Sequence, residues 1–116
     1  MGADNDSSSD YSFYGIKLGE TIKNKEADLG IAICGTGIGI SIAANKVKGV
    51  LCAKISNKEE AKLAKEHNHA NIIAFSGATS PKKALTMIEE FLKAKPLEEE
   101  KYNRRIDEIK KYENDC

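Results

Sequence analysis

Three short apolar runs, each followed by a segment with a helical pattern, constrain the fold of this chain more than any other feature. The runs cover residues 28–34, 50–55 and 71–76, and a glycine or serine ends each of them. Buried strands of a parallel sheet have this length and this nearly continuous apolar character. Because strands and helices alternate, we expect an α/β fold, a three-layer doubly wound parallel sheet of the Rossmann or flavodoxin-like kind with about three strands.

Helical spacing and capping residues predict the segments between and around these strands. Ser56 or Asn57 can cap one helix, and Ser80 followed by Pro81 is a strong start for another. One apolar helix face is formed by Tyr11, Tyr14, Leu18 and Ile22, and a second by Ala84, Leu85, Met87, Ile88, Phe91 and Leu92. We expect helices over residues 11–22, 41–48, 57–68, 81–95 and 97–112. The chain is interpreted as one domain, 1–116, with a flexible start at 1–9 and a C-terminal helix and tail at 97–116.

Charge and cysteine usage exclude several classes of function. Lys+Arg and Asp+Glu number 18 each, so no net charge favours nucleic acid or a membrane surface as a partner. No apolar run approaches the length of about 20 residues that a membrane span needs. The three cysteines form no CxxC pair and no zinc spacing, which favours free thiols in a reducing, cytoplasmic location. The two histidines, His67 and His69, have no ligand cluster around them, so we expect no metal and no cofactor.

The segment that carries chemistry is the loop Cys34–Gly39, which lies between an expected strand and an expected helix. Closely spaced glycines let backbone N–H groups approach an anion, and ligands of parallel sheets bind at the carboxyl ends of strands. A thiol beside a helix N-terminus is partly thiolate and can remove a proton next to a carbonyl group. A small buried residue is the alternative for Cys34, and it is the interpretation for Cys52, while Cys116 is expected to be inert. The spacing is not GxGxxG, which disfavours a nucleotide-binding module.

Two other groups of residues admit both a structural and a functional interpretation. His67 ends an expected helix, where a histidine favourably faces the helix dipole and can also act as an acid or base. Lys101, Arg104 and Arg105 form a basic cluster in a helix of mixed charge. They are either a solvated helix face or a clamp for a phosphate group, a task for which arginine is well suited.

The motif ICGTGIGISIAANKVKGV at residues 33–50 resembles the signature of the ribose-5-phosphate isomerase B and galactose-6-phosphate isomerase family. The resemblance continues through AKLAKEHNHANIIAFSG at 61–77 and EEEKYNRRIDEI at 98–109. It also includes DYSFYGIKLGETIKNKEADLG at 10–30, where Ser12 stands in place of the usual proline. The resemblance implies aldose–ketose isomerisation of a phosphorylated sugar through an enediol, without metal. Ribose 5-phosphate is the favoured substrate, because the cysteine and the His-Asn pair are both present.

The resemblance also implies roles for individual residues of the loop. Cys34 matches the catalytic base that moves a proton between C1 and C2 of the sugar. Thr36 matches a threonine beside the ring oxygen of the substrate. The amides that match those holding substrate oxygens belong to Gly35, Gly37, Ile38 and Gly39.

Outside the loop, the resemblance assigns a ring-opening acid and base to His67 and a substrate contact to Asn68. Arg105 matches a phosphate-binding arginine, and Lys101 stands where the family has a second one, so it keeps the charge but loses the bidentate fork. Ala78 replaces an arginine that is usual in the family.

The family pattern also affects what we expect of the assembly. Family members begin with a strand, a helix and a second strand before residue 10, a unit of roughly 30 to 40 residues that this sequence lacks, although Met1–Asn5 faintly resembles the end of the first strand. The chain would then supply the last three strands of a five-stranded sheet, and an uncovered strand edge recruits another chain. We expect a homodimer or a higher oligomer with active sites shared between subunits. The alternative to an enzyme is a catalytically impaired, truncated family member that acts as an interaction partner.

Overall fold

The computed structural model of the protein describes residues 10–115. The flexible start expected at residues 1–9, the resemblance at Met1–Asn5 and the expectation for Cys116 lie outside these residues. The elements of the described chain are, in order, α1 (Tyr11–Lys23), β1 (Gly30–Cys34), α2 (Ile38–Asn45), β2 (Cys52–Lys54), α3 (Lys58–Asn68), β3 (Ile72–Ser76), α4 (Pro81–Lys93) and α5 (Glu100–Asp115). None of the helices in this part of the chain combines the length and apolarity needed to cross a membrane.

The three strands form one parallel sheet in the order β1-β3-β2, which confirms the predicted α/β class. The central strand is β3, which pairs with β1 over its whole length from Gly30 opposite Ile72 to Cys34 opposite Ser76. β2 is shorter than the predicted run at 50–55, because only Cys52–Lys54 pair with β3 as a strand, and Val50, Leu51 and Ile55 lie outside it. The Asn71 side chain accepts a hydrogen bond from the Leu51 N–H at 2.9 Å and donates one to the Gly49 carbonyl at 2.9 Å.

Each face of the sheet is covered by its own pair of helices, because side chains alternate between the two faces of a strand. Ala32, Ile72 and Ala74 pack against α1 and α2, together with Leu18 and Ile40. Residues Ile73 and Phe75 point the other way and pack against α3 and α4, where Met87 and Phe91 are fully buried. The result is the predicted three-layer arrangement.

The observed helix faces are narrower than the predicted ones. On α4, Met87 and Phe91 are buried, whereas Leu85 and Leu92 are exposed because they lie about a third of a turn or more away from the middle of that face. On α1, the glycines Gly15 and Gly19 allow close packing: a Cβ atom at Gly15 would lie 2.8 Å from the Ala43 Cβ of α2. Helices α1 and α2 therefore approach each other closely through small residues, and of the predicted stripe the Tyr11 ring also packs on Gly39 of α2.

The N-caps of two helices agree with the sequence. The Asn57 side chain accepts a hydrogen bond from the Glu60 N–H at 2.8 Å, and the Ser80 hydroxyl accepts one from the Lys83 N–H at 3.3 Å. In return, a Glu60 carboxylate oxygen accepts from the Ser56 N–H at 2.6 Å, one residue before the N-cap, so both side chains hold the start of the helix.

The last helix lies across the edge of the sheet at which the strands begin. The Leu97 N–H just before α5 donates to the Glu66 carbonyl of α3 at 3.0 Å. Near the other end of α5, a Glu113 carboxylate oxygen accepts from the Gly49 N–H at 3.0 Å, in the turn that leads to β2. Ile106, between these contacts, is buried. The helix begins at Glu100 rather than at residue 97 and continues to Asp115.

Candidate active site

Cys34 is the last residue of β1, at the edge of the sheet where the strands end. Helix α2 begins at Ile38, three residues earlier than predicted, so the loop between thiol and helix is only residues 35–37. The tight turn depends on Gly37, whose φ of +82° is a left-handed conformation that residues with a Cβ rarely adopt. A Cβ atom on Gly37 would also lie 2.7 Å from the carbonyl carbon of Phe75. Gly37 therefore packs directly on the backbone of β3.

The loop directs hydrogen-bond donors at the Cys34 sulfur. The Gly37 N–H donates to the Cys34 Sγ at 3.2 Å, and Thr36 accepts a hydrogen bond from the Ile38 N–H on its hydroxyl at 3.1 Å. Burial opposes ionisation of the thiol, but the N–H groups of Ile40, Gly37 and Thr36, with the Thr36 hydroxyl, outweigh it and lower the pKa of Cys34. The thiol is half-buried, so it combines thiolate character with access to a small reactant.

Cys52 has the opposite environment. It packs against the core between α1, α2 and the sheet, and burial raises its pKa to about 12. The difference agrees with the sequence-based expectation that the two thiols have different chemistry, with Cys34 at a helix N-terminus and Cys52 in an apolar strand.

The other predicted site residues lie at the opposite edge of the sheet. His67 and Asn68 are the last residues of α3, and the chain then enters β3 at Ile72. The His67 ring is stacked on Tyr102 of α5, with 4.4 Å between ring centroids and 14° between ring planes. The Tyr102 phenol oxygen lies 3.2 Å from the His67 Nε2 atom. Helix α5 therefore holds the imidazole from one side, and the His67 side chain is half-buried.

Lys101 and Arg105 lie on α5 beside this stacked pair, and both side chains are exposed. Lys101 Nζ is 5.1 Å from the centroid of the Tyr102 ring and 3.9 Å from a carboxylate oxygen of Glu99. Within residues 10–115, Arg105 makes no side-chain hydrogen bond or ion pair, whereas Arg104 pairs with Glu100 at 3.3 Å. Arg105 is thus available to bind an anion.

The structure divides the predicted residues into two groups that do not meet within one chain. The carboxyl-edge loop consists of residues 34–39, and the amino-edge cluster consists of His67, Asn68, Lys101, Tyr102 and Arg105. The strand β3, with five residues, separates the two edges by about 15 Å. A substrate the size of a sugar phosphate cannot contact both groups of the same chain.

Two residues were missed from the sequence, one in the amino-edge cluster and one beside the carboxyl-edge loop. Tyr102 is an aromatic residue in a helix of charged residues, which is the signal that could have indicated a ring contact. Ser76 ends β3 with a polar side chain after four buried residues, and its hydroxyl donates to the Gly35 carbonyl at 2.7 Å.

Comparison with known proteins extends over both groups. A family model described as Ribose/Galactose Isomerase matches residues 1–109. The probable ribose-5-phosphate isomerase B of Mycoplasma genitalium is 39% identical over 112 residues, which are 95% of this chain and 73% of that protein. The chain belongs to the ribose/galactose isomerase family. This membership confirms the resemblance found at residues 33–50 and places the chain among the sugar-phosphate isomerases.

Solved structures of this isomerase family agree with the fold. Ribose-5-phosphate isomerase B of Clostridium thermocellum superposes with a TM-score of 0.91 at 39% identity, covering 99% of this chain and 78% of that chain. The Mycoplasma genitalium enzyme with bound ribulose 5-phosphate superposes with a TM-score of 0.90 at 38% identity, covering 100% of this chain and 78% of that chain. The carboxyl-edge loop and the amino-edge cluster both lie in the shared part.

Proposed function

We propose that this chain isomerises ribose 5-phosphate and ribulose 5-phosphate, with the Cys34 thiolate as the base. The observation that carries the proposal is the set of N–H groups around the Cys34 sulfur, which lowers the pKa of a thiol at the carboxyl edge of a parallel sheet. The choice of sugar is supported by the similar enzyme of Mycoplasma genitalium, whose structure holds ribulose 5-phosphate. A cytoplasmic location stays a prediction from the free thiols.

The proposed reaction needs a base and donors for one developing oxyanion. The Cys34 thiolate takes the proton from C2 of the open-chain aldose, and the electron pair of that bond forms the C1–C2 double bond while the C1 carbonyl oxygen becomes negative. Backbone N–H groups of residues 35–39 stabilise that oxygen in the manner of an oxyanion hole. A proton then moves from the C2 oxygen to the C1 oxygen, and the Cys34 thiol returns its proton to C1. The product is the ketose, with no net change in protons or electrons.

The amino-edge cluster supplies the remaining functions in this proposal. His67 opens the sugar ring as acid and base, helped by Thr36 beside the ring oxygen, and Asn68 contacts the sugar hydroxyls. Arg105 and Lys101 bind the phosphate group, for which the unpaired and exposed Arg105 side chain is suited. Because this cluster is about 15 Å from Cys34 within one chain, it must come from a second subunit.

A homodimer with shared active sites is therefore part of the proposal. Large apolar side chains are exposed beside the carboxyl-edge loop, among them Ile38 and Ile42 of α2 with exposed fractions of 53% and 57%. Tyr11 and Phe13 of α1 are exposed to 51% and 59%, and the Tyr11 ring packs on Gly39 of the same loop. Contiguous exposed apolar side chains of this kind mark protein–protein contact sites. A second copy that covers them would bring its own amino-edge cluster to this loop.

Replacement of the thiol tests the assigned base. We expect Cys34→Ala to lower kcat for ribose 5-phosphate by about a thousandfold or more, with KM changed little, because a base acts in the transition state. Cys52→Ala is the matched control and should keep kcat within about twofold of the unchanged protein. A near-normal kcat for Cys34→Ala would remove Cys34 from the mechanism. Absence of isomerase activity in the unchanged chain would instead favour the non-catalytic alternative, which the comparisons do not favour.

Co-expression of two inactive variants tests the shared site. In a dimer of Cys34→Ala and His67→Ala chains, one of the two sites receives an intact loop and an intact cluster. Random pairing should therefore restore about a quarter of the unchanged rate. Co-expression of Cys34→Ala with Thr36→Ala is the control, because both lesions lie in the carboxyl-edge loop and no site is intact. If the mixture of Cys34→Ala and His67→Ala chains is as inactive as the control mixture, the sites are not shared between subunits.

A further inference from the structure

Ser76 faces the carboxyl-edge loop from the neighbouring strand, and its hydroxyl makes two hydrogen bonds of opposite kind. It accepts from the Ala78 N–H at 3.0 Å and lies 2.7 Å from the Gly35 carbonyl oxygen. An N–H group can only donate and a carbonyl oxygen can only accept. The hydroxyl proton must therefore point at the Gly35 oxygen, and the direction of this hydrogen bond is fixed.

A second hydrogen bond from the end of β3 acts on the preceding peptide. The Gly77 N–H donates to the Cys34 carbonyl at 2.7 Å. The two successive carbonyls of Cys34 and Gly35 are thus both held by β3 and the turn that follows it. No peptide bond of the described chain is cis, and in a trans peptide the N–H points opposite to the C=O. The Thr36 N–H shares a peptide with the Gly35 carbonyl, so it must point away from Ser76.

Two residues beyond Gly35 in the same turn, a backbone donor meets the thiol, since the Gly37 N–H donates to the Cys34 Sγ at 3.2 Å. We propose that Ser76 is a positioning residue for Cys34: by holding the Gly35 carbonyl, its hydroxyl keeps the turn at residues 35–37 in the conformation in which the Gly37 N–H reaches the sulfur. This inference rests on the proposed function of Cys34 as the base, and it adds a side chain from a different strand to that function.

The other titratable groups near the thiol do not supply the same effect. On the α1 side, Tyr14 packs in the same cluster as Cys34, and Tyr11 packs on Gly39. Neither is an acidic or a basic residue. From α2 and β3, the residues of that cluster are apolar, namely Ile40, Ala44, Ile72 and Ala74. Within the described chain, the hydrogen bonds of the loop are therefore what opposes the effect of burial and lowers the pKa of Cys34.

The test measures the alkylation rate of Cys34 by iodoacetamide as a function of pH, in the full chain, with peptide mapping. We expect Ser76→Ala to slow alkylation at neutral pH by about threefold to tenfold and to move the midpoint of the profile to higher pH, because one donor to the thiolate is released. Ser76→Thr keeps the hydroxyl and should keep the profile of the unchanged protein. Ser76→Val has the shape of threonine without the hydroxyl and should shift the profile as Ser76→Ala does. These two variants also serve if Ser76→Ala folds poorly.

Ser41→Ala is the matched control. The Ser41 hydroxyl also donates to a backbone carbonyl, that of Ile38, at 2.7 Å. The N–H of the same peptide belongs to Gly39, and it is not among the groups that hydrogen-bond to the Cys34 sulfur. Its alkylation profile should stay unchanged. An unchanged profile in Ser76→Ala and Ser76→Val would overturn the inference.

The alkylation assay does not depend on isomerase activity, so the two proposals can fail separately. If Cys34→Ala keeps its kcat while Ser76→Ala shifts the alkylation profile, the proposed function is wrong and the positioning role stands. If both proposals hold, the kcat of Ser76→Ala should fall at neutral pH and recover as the pH rises, with KM changed little.

Discussion

The carboxyl-edge loop and the amino-edge cluster are built in different ways. The loop assembles around Cys34 from backbone groups of the next six residues, and Gly37 lets it turn against β3. The cluster brings together His67 and Tyr102, which are 35 residues apart in the sequence and lie on different helices. A site made of consecutive backbone groups is determined by local sequence, whereas a site made of two helices depends on how the last helix packs.

The first prediction uses Cys34 as a reporter of the loop, and it has the largest expected effect. At pH 8, Cys34 should react with iodoacetamide at least about a hundredfold faster than Cys52, because only the thiolate is nucleophilic. The pKa of Cys34 is lowered by N–H groups, and burial raises that of Cys52 to about 12. Peptide mapping by mass spectrometry gives both rates.

The direction in which stability and Cys34 alkylation change with pH gives a further check on the loop. Since the folded state binds the Cys34 proton less tightly than the unfolded state, the thiolate contributes to stability at high pH and loses that contribution as the pH falls through its folded pKa. The alkylation midpoint in urea should accordingly lie at higher pH than in the native protein. Equal rates for the two cysteines under native conditions would contradict the geometry of the loop.

The second prediction breaks the loop and leaves the cluster intact. Gly37→Ala should lower the free energy of unfolding by at least about 2 kcal/mol, since it forces an alanine into a left-handed conformation and against the Phe75 backbone. It should also slow Cys34 alkylation, because the Gly37 N–H would leave the sulfur. Urea denaturation measures the first effect.

Gly35→Ala is the control for this variant. A Cβ atom there would meet no atom within 4 Å, so the cost should stay below about 1 kcal/mol. Similar losses for the two alanine variants would show that the turn is not held against β3.

The third prediction breaks the cluster and leaves the loop intact. Tyr102→Ala should lower the free energy of unfolding by about 1–2 kcal/mol through the loss of the stacked ring, whereas Tyr102→Phe keeps the stack and should cost less. The NMR signals of the His67 ring should shift more in Tyr102→Ala than in Tyr102→Phe, because the phenylalanine keeps the stacked ring and loses only the phenol oxygen beside Nε2. Cys34 alkylation should be unchanged in both, and a slower rate would mean that the two regions are coupled within one chain.

These contrasts also explain how much could be predicted from the sequence. Strand positions, the cap Ser80 and a cap at Ser56 or Asn57 were predicted because apolar runs and capping side chains act locally, and the structure selects Asn57 of the latter two. The position of β3 between β1 and β2 was not predicted, since the order of strands depends on how the connecting helices pack. The early start of α2 at Ile38 was missed because the left-handed turn at Gly37 is a property of contact with β3.

The last prediction concerns how α5 is held, and its effect is the smallest. A Glu113 carboxylate oxygen accepts from the Gly49 N–H, whereas Glu108 on the same helix makes no hydrogen bond or ion pair within residues 10–115. Glu113→Ala should lower the free energy of unfolding by about 0.5–1 kcal/mol relative to Glu108→Ala, because a partly exposed hydrogen bond to a charged group is lost. The Gly49 amide should also exchange its hydrogen faster in Glu113→Ala than in Glu108→Ala.

Loss of the hydrogen bond between Glu113 and Gly49 should also affect the amino-edge cluster, since α5 carries Tyr102 as well as Glu113. If the contact at Gly49 fixes the helix, its loss should loosen the stack on His67 and reduce the shift of the His67 ring signals that Tyr102 causes. Equal exchange at Gly49 in the two variants would instead mean that the buried Ile106 and the Leu97–Glu66 hydrogen bond hold α5 without help from its C-terminal end.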